Sequence, residues 1–269
     1  MIPRFTVLCA LALLGSSVTS EARMVCTVVA NVSSGAIVYE EGDCRTRVTP
    51  ASTFKIPLAV MGFEAGILDD AHAPEFTIVA GEPAWGGEDW RKPTDPARWM
   101  KFSVVWYSQR IAGALGYDRF AELTRTFDYG NADVSGDPGK DNALQRSWIG
   151  SSLKISPVEQ VGFLRRLLTG QLPVTSETVE KTKGIVESTE LSGWTIHGKT
   201  GSAFPRTAEG ALDRAHGWGW FVGWITDGTQ TYTFARLEQD EKRERTSGGP
   251  RAKDALMHDW PQLAEQLGK

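Results

Sequence analysis

Histidine and cysteine, the side chains that most often ligate zinc, are scarce in this sequence. The chain of 269 residues contains four histidines and three cysteines. The histidines are scattered and lack the spacing of a metal site; they are His72, His197, His216 and His258. We therefore expect no bound metal.

Basic residues form no long block, and the formal net charge of the chain is -4. A protein that binds nucleic acid or an anionic membrane usually presents a concentrated positive surface. We therefore predict no nucleic-acid partner. The motif G-x-S-x-G is also absent, so the sequence gives no reason to assign a Ser-His-Asp triad.

Long apolar segments are missing beyond the first residues, where one uncharged run extends over 5–18. That run is too short to span a bilayer, which needs roughly 20 apolar residues. It follows Arg4 and precedes small polar residues, and this order is typical of a secretory signal peptide. We predict a signal peptide over residues 1–22 and an exported domain over 23–269 that has no membrane partner after cleavage.

Two cysteines, Cys26 and Cys44, belong to the predicted exported domain, and Cys9 is removed with the signal. An even number of cysteines in an exported protein is compatible with a disulfide. A closed loop of this length would stabilise the fold by roughly 3 kcal/mol. Spacing alone does not give geometry, so a disulfide and two separate thiols both stay open.

The secondary-structure pattern places strands at both ends of the chain and helices between them. An N-terminal hairpin is predicted over 24–39, and three strands over 191–202, 216–226 and 230–237, with Asp227-Gly228 as a two-residue hairpin turn. Helices are predicted over 52–66, 100–115, 118–126, 158–168 and 252–267. The fold class is therefore α+β: an antiparallel sheet flanked by helices, completed by the N-terminal hairpin, with an inserted and mostly helical lobe.

Ser52 and Lys55 stand three residues apart in T49-P-A-S-T-F-K-I-P57, which places them on one face of a helix. A serine becomes a nucleophile when a neighbour takes its proton, and a lysine can take it when burial keeps the amine neutral. The motif alone is weak, because Ser151 and Lys154 have the same spacing. A serine that caps a helix is the structural alternative for Ser52.

Three further segments follow Ser52 in order: S103-V-V105, Y129-G-N131 and K199-T-G201-S202. With Ser-x-x-Lys they resemble the ordered signature of the penicillin-recognising serine acyltransferases. The variant in this chain, which also has W148, looks like that of the class D, oxacillinase-type β-lactamases. The likeness extends from about Cys26 to Leu263 and implies a serine β-lactamase or penicillin-binding transpeptidase-like fold.

The resemblance implies that Ser52 forms an acyl ester with a β-lactam and that Lys55 is N-carboxylated by carbon dioxide. No dissociable cofactor is expected. The carboxylated lysine would act as general base, with a hydrogen bond from Trp148 and apolar cover from Val105 and Ile149. As residue types alone, Trp148, Val105 and Ile149 would equally fit an ordinary core.

The same resemblance assigns proton transfer to Ser103 and a positive charge to Lys199. The backbone N–H groups of Ser52 and Ser202 would form the oxyanion hole. Arg251 would hold the carboxylate of the β-lactam. Contacts with substrate are further assigned to the remaining motif positions, namely Thr200, Gly201, Tyr129 and Asn131, although Tyr129 fits a structural role nearly as well.

The sequence therefore predicts a periplasmic β-lactam hydrolase, monomeric or homodimeric, that confers β-lactam resistance. One alternative is a penicillin-binding transpeptidase or carboxypeptidase with the same motifs. A second is a β-lactam sensor domain, which is acylated without turnover.

Overall fold

A computed structural model of the protein describes residues 22–267. The predicted signal peptide lies outside the described residues, except for its last residue. Within 22–267, no helix is both long enough and apolar enough to cross a membrane.

The fold is built on one six-stranded antiparallel sheet with the strand order β2-β1-β6-β5-β4-β3. The strands are β1 Arg23–Asn31, β2 Ile37–Gly42, β3 Ser188–Leu191, β4 Trp194–Ala203, β5 Trp218–Thr226 and β6 Thr231–Gln239. β1 pairs with β6, with Val28 opposite Ala235. The N-terminal hairpin thus completes the sheet, as predicted, and the α+β class is confirmed.

Most helices lie between β2 and β3 and form the predicted inserted lobe. They are α1 Lys55–Glu64, α2 Pro96–Phe102, α3 Val105–Leu115, α4 Tyr117–Thr126, α5 Ala143–Arg146, α6 Pro157–Leu168 and α7 Ser176–Ile185. The last helix, α8 Gly248–Leu267, follows the sheet. Helix α7 was not predicted, because its exposed and mostly polar sequence carries a weak apolar period.

The sheet is covered on both faces, so β5 and β6 are buried at nearly every residue; β5 is almost continuously apolar, whereas β6 also carries polar side chains. One face packs against α8, where Phe234 and Ile225 join Leu256 and Trp260 in a separate apolar cluster. The opposite face contributes to the larger core shared with the helical lobe. The two layers of helices therefore hold the central strands in place from both sides.

The helix predicted over 100–115 is wrong in one respect: it is two helices that meet at Ser103 and Val104. Ser103 has a left-handed backbone, with φ of 55°, and Val104 is extended. Ser103 was therefore predicted wrongly as a residue within a helix. The apolar period continues on both sides of the break, so the pattern did not reveal it.

Two predicted turns also differ from the structure. The strand predicted from residue 191 is a hairpin, because Ser192 and Gly193 both have positive φ and connect β3 to β4. The loop between β5 and β6 has four residues rather than two. In that loop the Asp227 carboxylate accepts hydrogen bonds from the backbone N–H groups of Thr229 and Gln230, which favours the longer turn.

Cys26 and Cys44 form a disulfide, with their Cα atoms 5.0 Å apart. Cys26 lies in β1, and Cys44 follows β2. Of the two possibilities that the sequence left open, the structure therefore has the disulfide.

Candidate active site

Ser52 lies in a 3-10 turn, Ala51–Phe54, that leads directly into α1, and Lys55 is the first residue of that helix. Side chains three residues apart in a 3-10 turn lie almost above one another. No side chain caps either helical segment at its start, so the helix-capping alternative for Ser52 does not hold. Ser52 is half-buried, whereas Lys55 is 1% exposed.

The amine of Lys55 is the least usual group in this region. Its Nζ is buried and has no hydrogen-bond partner among the described residues. Burial is the main reason that the pKa of Lys55 lies well below its usual value, and the nearby charge of Lys199 lowers it further. The surroundings of Lys55 therefore favour the neutral amine, with its free electron pair, three residues after Ser52.

Apolar side chains enclose this part of α1. Phe54 stacks on Trp148 with ring centroids 5.6 Å apart, and Trp148 is 1% exposed. Val105 is buried, and Ile149 packs against the same core. The segment that holds Trp148 is tied to the Ser52 turn by a hydrogen bond of 3.0 Å from the Ala51 N–H to the Trp148 carbonyl.

Ser103 and Lys199, which are 96 residues apart in the chain, meet in the structure. The Lys199 ammonium donates a hydrogen bond of 2.5 Å to the Ser103 Oγ. The left-handed backbone at Ser103 turns its side chain out of the helix path, toward β4. Lys199 is buried, and burial lowers its pKa from 10.5 to about 8.

Strand β4 lies directly against the Ser52 turn because Gly201 has no side chain. A Cβ at Gly201 would stand 3.0 Å from the Pro50 carbonyl oxygen and 3.0 Å from the Thr53 side chain. Thr200 is half-buried beside it, and Ser202 is exposed, with its Oγ accepting a hydrogen bond of 2.8 Å from the Gly249 N–H. The lysine, threonine and glycine of the third motif therefore border the Ser52 turn.

Tyr129 and Asn131 both form hydrogen bonds within the protein. Tyr129 is 0% exposed, and its hydroxyl donates to Gln160 at 3.3 Å. The Asn131 amide bonds to the backbone at Ser152 and Lys154, 2.9 Å each. The buried hydroxyl of Tyr129 fits the structural alternative for that residue, and substrate contact by Tyr129 and Asn131 stays a prediction.

Gln160 and Thr53 are polar residues that the sequence analysis missed. Gln160 is buried on α6 and donates a hydrogen bond of 2.8 Å to the Thr53 hydroxyl, one residue after Ser52. The Thr53 hydroxyl in turn donates to the Pro50 carbonyl at 2.7 Å. A glutamine among the apolar positions of α6 is the signal that could have revealed this support.

Arg251 lies near the start of α8 and forms an ion pair with Asp240. The second Ser-x-x-Lys pair has no comparable surroundings. Ser151 donates a hydrogen bond of 2.8 Å to Asp137, and Lys154 is exposed. Burial of the lysine thus separates the two pairs that the sequence could not distinguish by spacing.

Known proteins are similar to this chain over most of its length. The family described as the penicillin binding protein transpeptidase domain matches residues 25–259. β-Lactamase OXA-9 of Klebsiella pneumoniae is 39% identical over 239 residues, 88% of this chain and 87% of that protein. β-Lactamase OXA-1 of Escherichia coli is 38% identical over 204 residues, 74% of this chain and 70% of that protein.

A solved structure shows the same likeness in three dimensions. The crystal structure of the OXA-427 class D β-lactamase is 41% identical in sequence, covers 90% of this chain and 99% of its own, and has a TM-score of 0.85. The chain therefore belongs to the penicillin-binding transpeptidase-domain family and, within it, to the class D serine β-lactamases.

Proposed function

We propose that this class D β-lactamase opens the β-lactam amide bond through an acyl ester on Ser52, with N-carboxylated Lys55 as the general base. Hydrolysis of β-lactams by a serine enzyme, and the resistance that it confers, follow from the family. The observation that carries the finer mechanism is the buried, unpartnered amine of Lys55, three residues after a half-buried serine.

The surroundings of Lys55 fit a carbamate. Carbon dioxide adds to a neutral amine, and burial lowers the pKa of Lys55, which favours the neutral form of that amine. Apolar neighbours such as Phe54 and Val105 exclude water from the group, and the indole N–H of Trp148 is the proposed donor to it. When bound, carbon dioxide supplies an anionic base that takes the Ser52 proton and activates the hydrolytic water.

The residues around Ser52 each have a separate role in acylation. The Ser52 Oγ attacks the lactam carbonyl carbon, and the negative charge that develops on oxygen faces the N–H groups of Ser52 and Ser202. The carbon–nitrogen bond breaks, and the leaving nitrogen receives its proton through the Ser103 hydroxyl, which Lys199 contacts. Water next attacks the ester carbonyl, which releases the ring-opened acid and restores the Ser52 hydroxyl.

Substrate binding in this proposal relies on the edge of β4 and on α8. Thr200 and Gly201 line the approach to Ser52, Lys199 contributes positive charge, and Arg251 binds the carboxylate of the β-lactam. Ile149 and Val105 shield the lysine. Tyr129 and Asn131 act as positioning residues, because their hydrogen bonds support the Ser52 turn and the loop beside it.

The cellular setting is part of the same proposal. Residues 1–22 direct export as a signal peptide, and the catalytic domain, residues 23–269, acts in the periplasm as a monomer or homodimer. No nucleic acid or membrane is a partner of the exported domain.

The test is turnover of a chromogenic cephalosporin by the purified protein, with and without added bicarbonate. We expect many turnovers per molecule and a higher rate with bicarbonate. A single stoichiometric burst would instead favour the sensor or transpeptidase alternative. Turnover that does not respond to bicarbonate, after dissolved carbon dioxide has been removed, would contradict the carbamate on Lys55.

A further inference from the structure

Arg251 is bound to acidic side chains of its own chain. Its Nη2 donates to the Asp240 carboxylate, and its Nη1 lies 3.8 Å from the Glu244 carboxylate. The Asp240 side chain is 6% exposed and that of Arg251 is 24% exposed. Two carboxylates thus face one guanidinium and offset the positive charge that would attract an anionic substrate.

The remaining donors of Arg251 are shielded. Its Nε and Nη1 are buried, and neither has a hydrogen-bond partner among the described residues. Of the three guanidinium nitrogens, one is therefore bound to Asp240 and the other two are closed to solvent. An incoming carboxylate meets a guanidinium that is already engaged.

The backbone on both sides of this ion pair is fixed. Gly249, two residues before Arg251, donates to the Ser202 Oγ, and a Cβ at Gly249 would stand 2.8 Å from the Gly201 carbonyl oxygen. Asp240 follows β6, and its N–H donates to the Gly217 carbonyl at 2.9 Å. Since neither backbone can shift far, the Arg251 side chain has to rotate when it binds a substrate.

We propose that Asp240 is a specificity-determining residue that competes with the substrate carboxylate for Arg251. This inference rests on the proposed role of Arg251 in binding that carboxylate. Binding of a β-lactam through its carboxylate then requires that the ion pair between Arg251 and Asp240 break. Substrates that depend less on a carboxylate lose less binding free energy when this ion pair breaks. Asp240 therefore shifts the preference of the enzyme among β-lactams.

The test compares Asp240→Asn with the wild-type enzyme on a cephalosporin and on its carboxyl methyl ester. We expect the KM for the free acid to fall about five-fold, because one partly buried charge pair is no longer broken. The kcat and the KM for the ester should stay within about two-fold. Glu241→Gln removes the same charge from the exposed neighbouring residue and should leave both KM values unchanged.

An unchanged or higher KM for the free acid in Asp240→Asn, with normal kcat, would overturn the competition and leave the hydrolytic function intact. If Arg251→Ala does not raise the KM for the free acid, Arg251 does not bind the carboxylate, and the inference fails with that role. Absence of turnover in the wild type would contradict the proposed function itself. If Asp240→Asn does not fold, Glu244→Gln replaces it, with an expected fall in KM of about two-fold.

Discussion

Burial lowers the pKa of both lysines of the site. Both Lys55 and Lys199 lie in a low-dielectric environment, which disfavours the charged ammonium. Within residues 22–267 the Lys55 amine has no hydrogen-bond partner, whereas the Lys199 ammonium donates to the Ser103 hydroxyl. The neutral amine is therefore assigned to base chemistry and the charged one to electrostatic stabilisation.

Replacement of Lys55 by alanine tests the first assignment. We expect Lys55→Ala to lower kcat by more than about 100-fold, because both acylation and ester hydrolysis lose their general base. Mass spectrometry should detect an acyl-protein that persists for hours after mixing with a β-lactam. Lys154→Ala, in the second Ser-x-x-Lys pair, is the matched control and should retain full activity. Normal turnover by Lys55→Ala would contradict the mechanism.

The pH dependence of kcat/KM tests the second assignment. The pKa of Lys199 is lowered to about 8 by burial, so the ammonium loses its charge as the pH rises through that value. We expect kcat/KM to fall on this alkaline side. A negative charge on Lys55 would raise the Lys199 pKa, so the fall should move to higher pH as bicarbonate is added.

The control for this pH profile is Lys199→Arg, since arginine stays charged throughout the range. The wild-type pKa of Lys199 is about 8, so the assays cover the range from about pH 8 to about pH 9.5. Over this range we expect the variant to have a lower maximal rate but no decrease in kcat/KM. An identical decrease in the variant and the wild type would show that another group controls the alkaline side.

At the scale of single residues, the resemblance in motif order predicted that Ser103 and Lys199 belong to one site, but not which contacts each side chain makes. Ser103 and Lys199 are brought together as expected. Side-chain burial, which places Tyr129 in the core, depends on residues far away in the chain, such as Gln160 on α6. The ion pair of Arg251 with Asp240 had no sequence signal for the same reason.

At the scale of elements, the site is formed where regular structure ends. Ser52 lies before α1, and Ser103 lies between α2 and α3. Strand β4 contacts the Ser52 turn through a glycine, Gly201. Helix breaks and close contacts depend on backbone geometry, which apolar periodicity does not report, and this is why the helix over 100–115 was predicted as continuous.

Replacement of Gly201 by alanine tests the contact between β4 and the Ser52 turn. The added methyl would stand 3.0 Å from the Pro50 carbonyl oxygen, which forces the strand and the turn apart. We expect kcat/KM to fall about ten-fold and the free energy of unfolding to fall by about 1–2 kcal/mol, as for other overpacked sites. Enzyme assays and denaturant unfolding measure the two effects.

Gly184→Ala is the control for the added methyl group. Gly184 is exposed on α7, and a Cβ there meets no atom within 4 Å. Because alanine favours helix, we expect equal activity and a gain in stability of about 0.5–1 kcal/mol. If Gly201→Ala is as active as Gly184→Ala, the Ser52 turn and β4 can move apart without loss of activity, which would contradict this prediction.

At the scale of the whole molecule, the sequence predicted the arrangement of the sheet and the helical lobe well. The clear hairpin at the N-terminus and the alternation of strands and turns after residue 191 carried that prediction. The order of the strands needed the structure, since the pairing of β1 with β6 joins segments about 200 residues apart. The pairing of Cys26 with Cys44 needed it as well.

Removal of the disulfide tests its contribution to stability. The loop between Cys26 and Cys44 spans 18 residues, so the Cys26→Ser/Cys44→Ser variant should lose about 3 kcal/mol of unfolding free energy. Activity at 25 °C should not change, because β1 and the site on β4 are separated by β6 and β5. Thermal unfolding with and without a reductant measures the effect, and the Tm of the variant should not respond to the reductant.

The pairing of β1 with β6 also has a consequence for the order of events during synthesis. β1 is made among the first residues of the described chain, but its main partner ends at Gln239. The centre of the sheet therefore cannot close until nearly all of the polypeptide has left the ribosome. Pairings of such large sequence separation form slowly. The nascent chain thus stays without its final core for most of its translation.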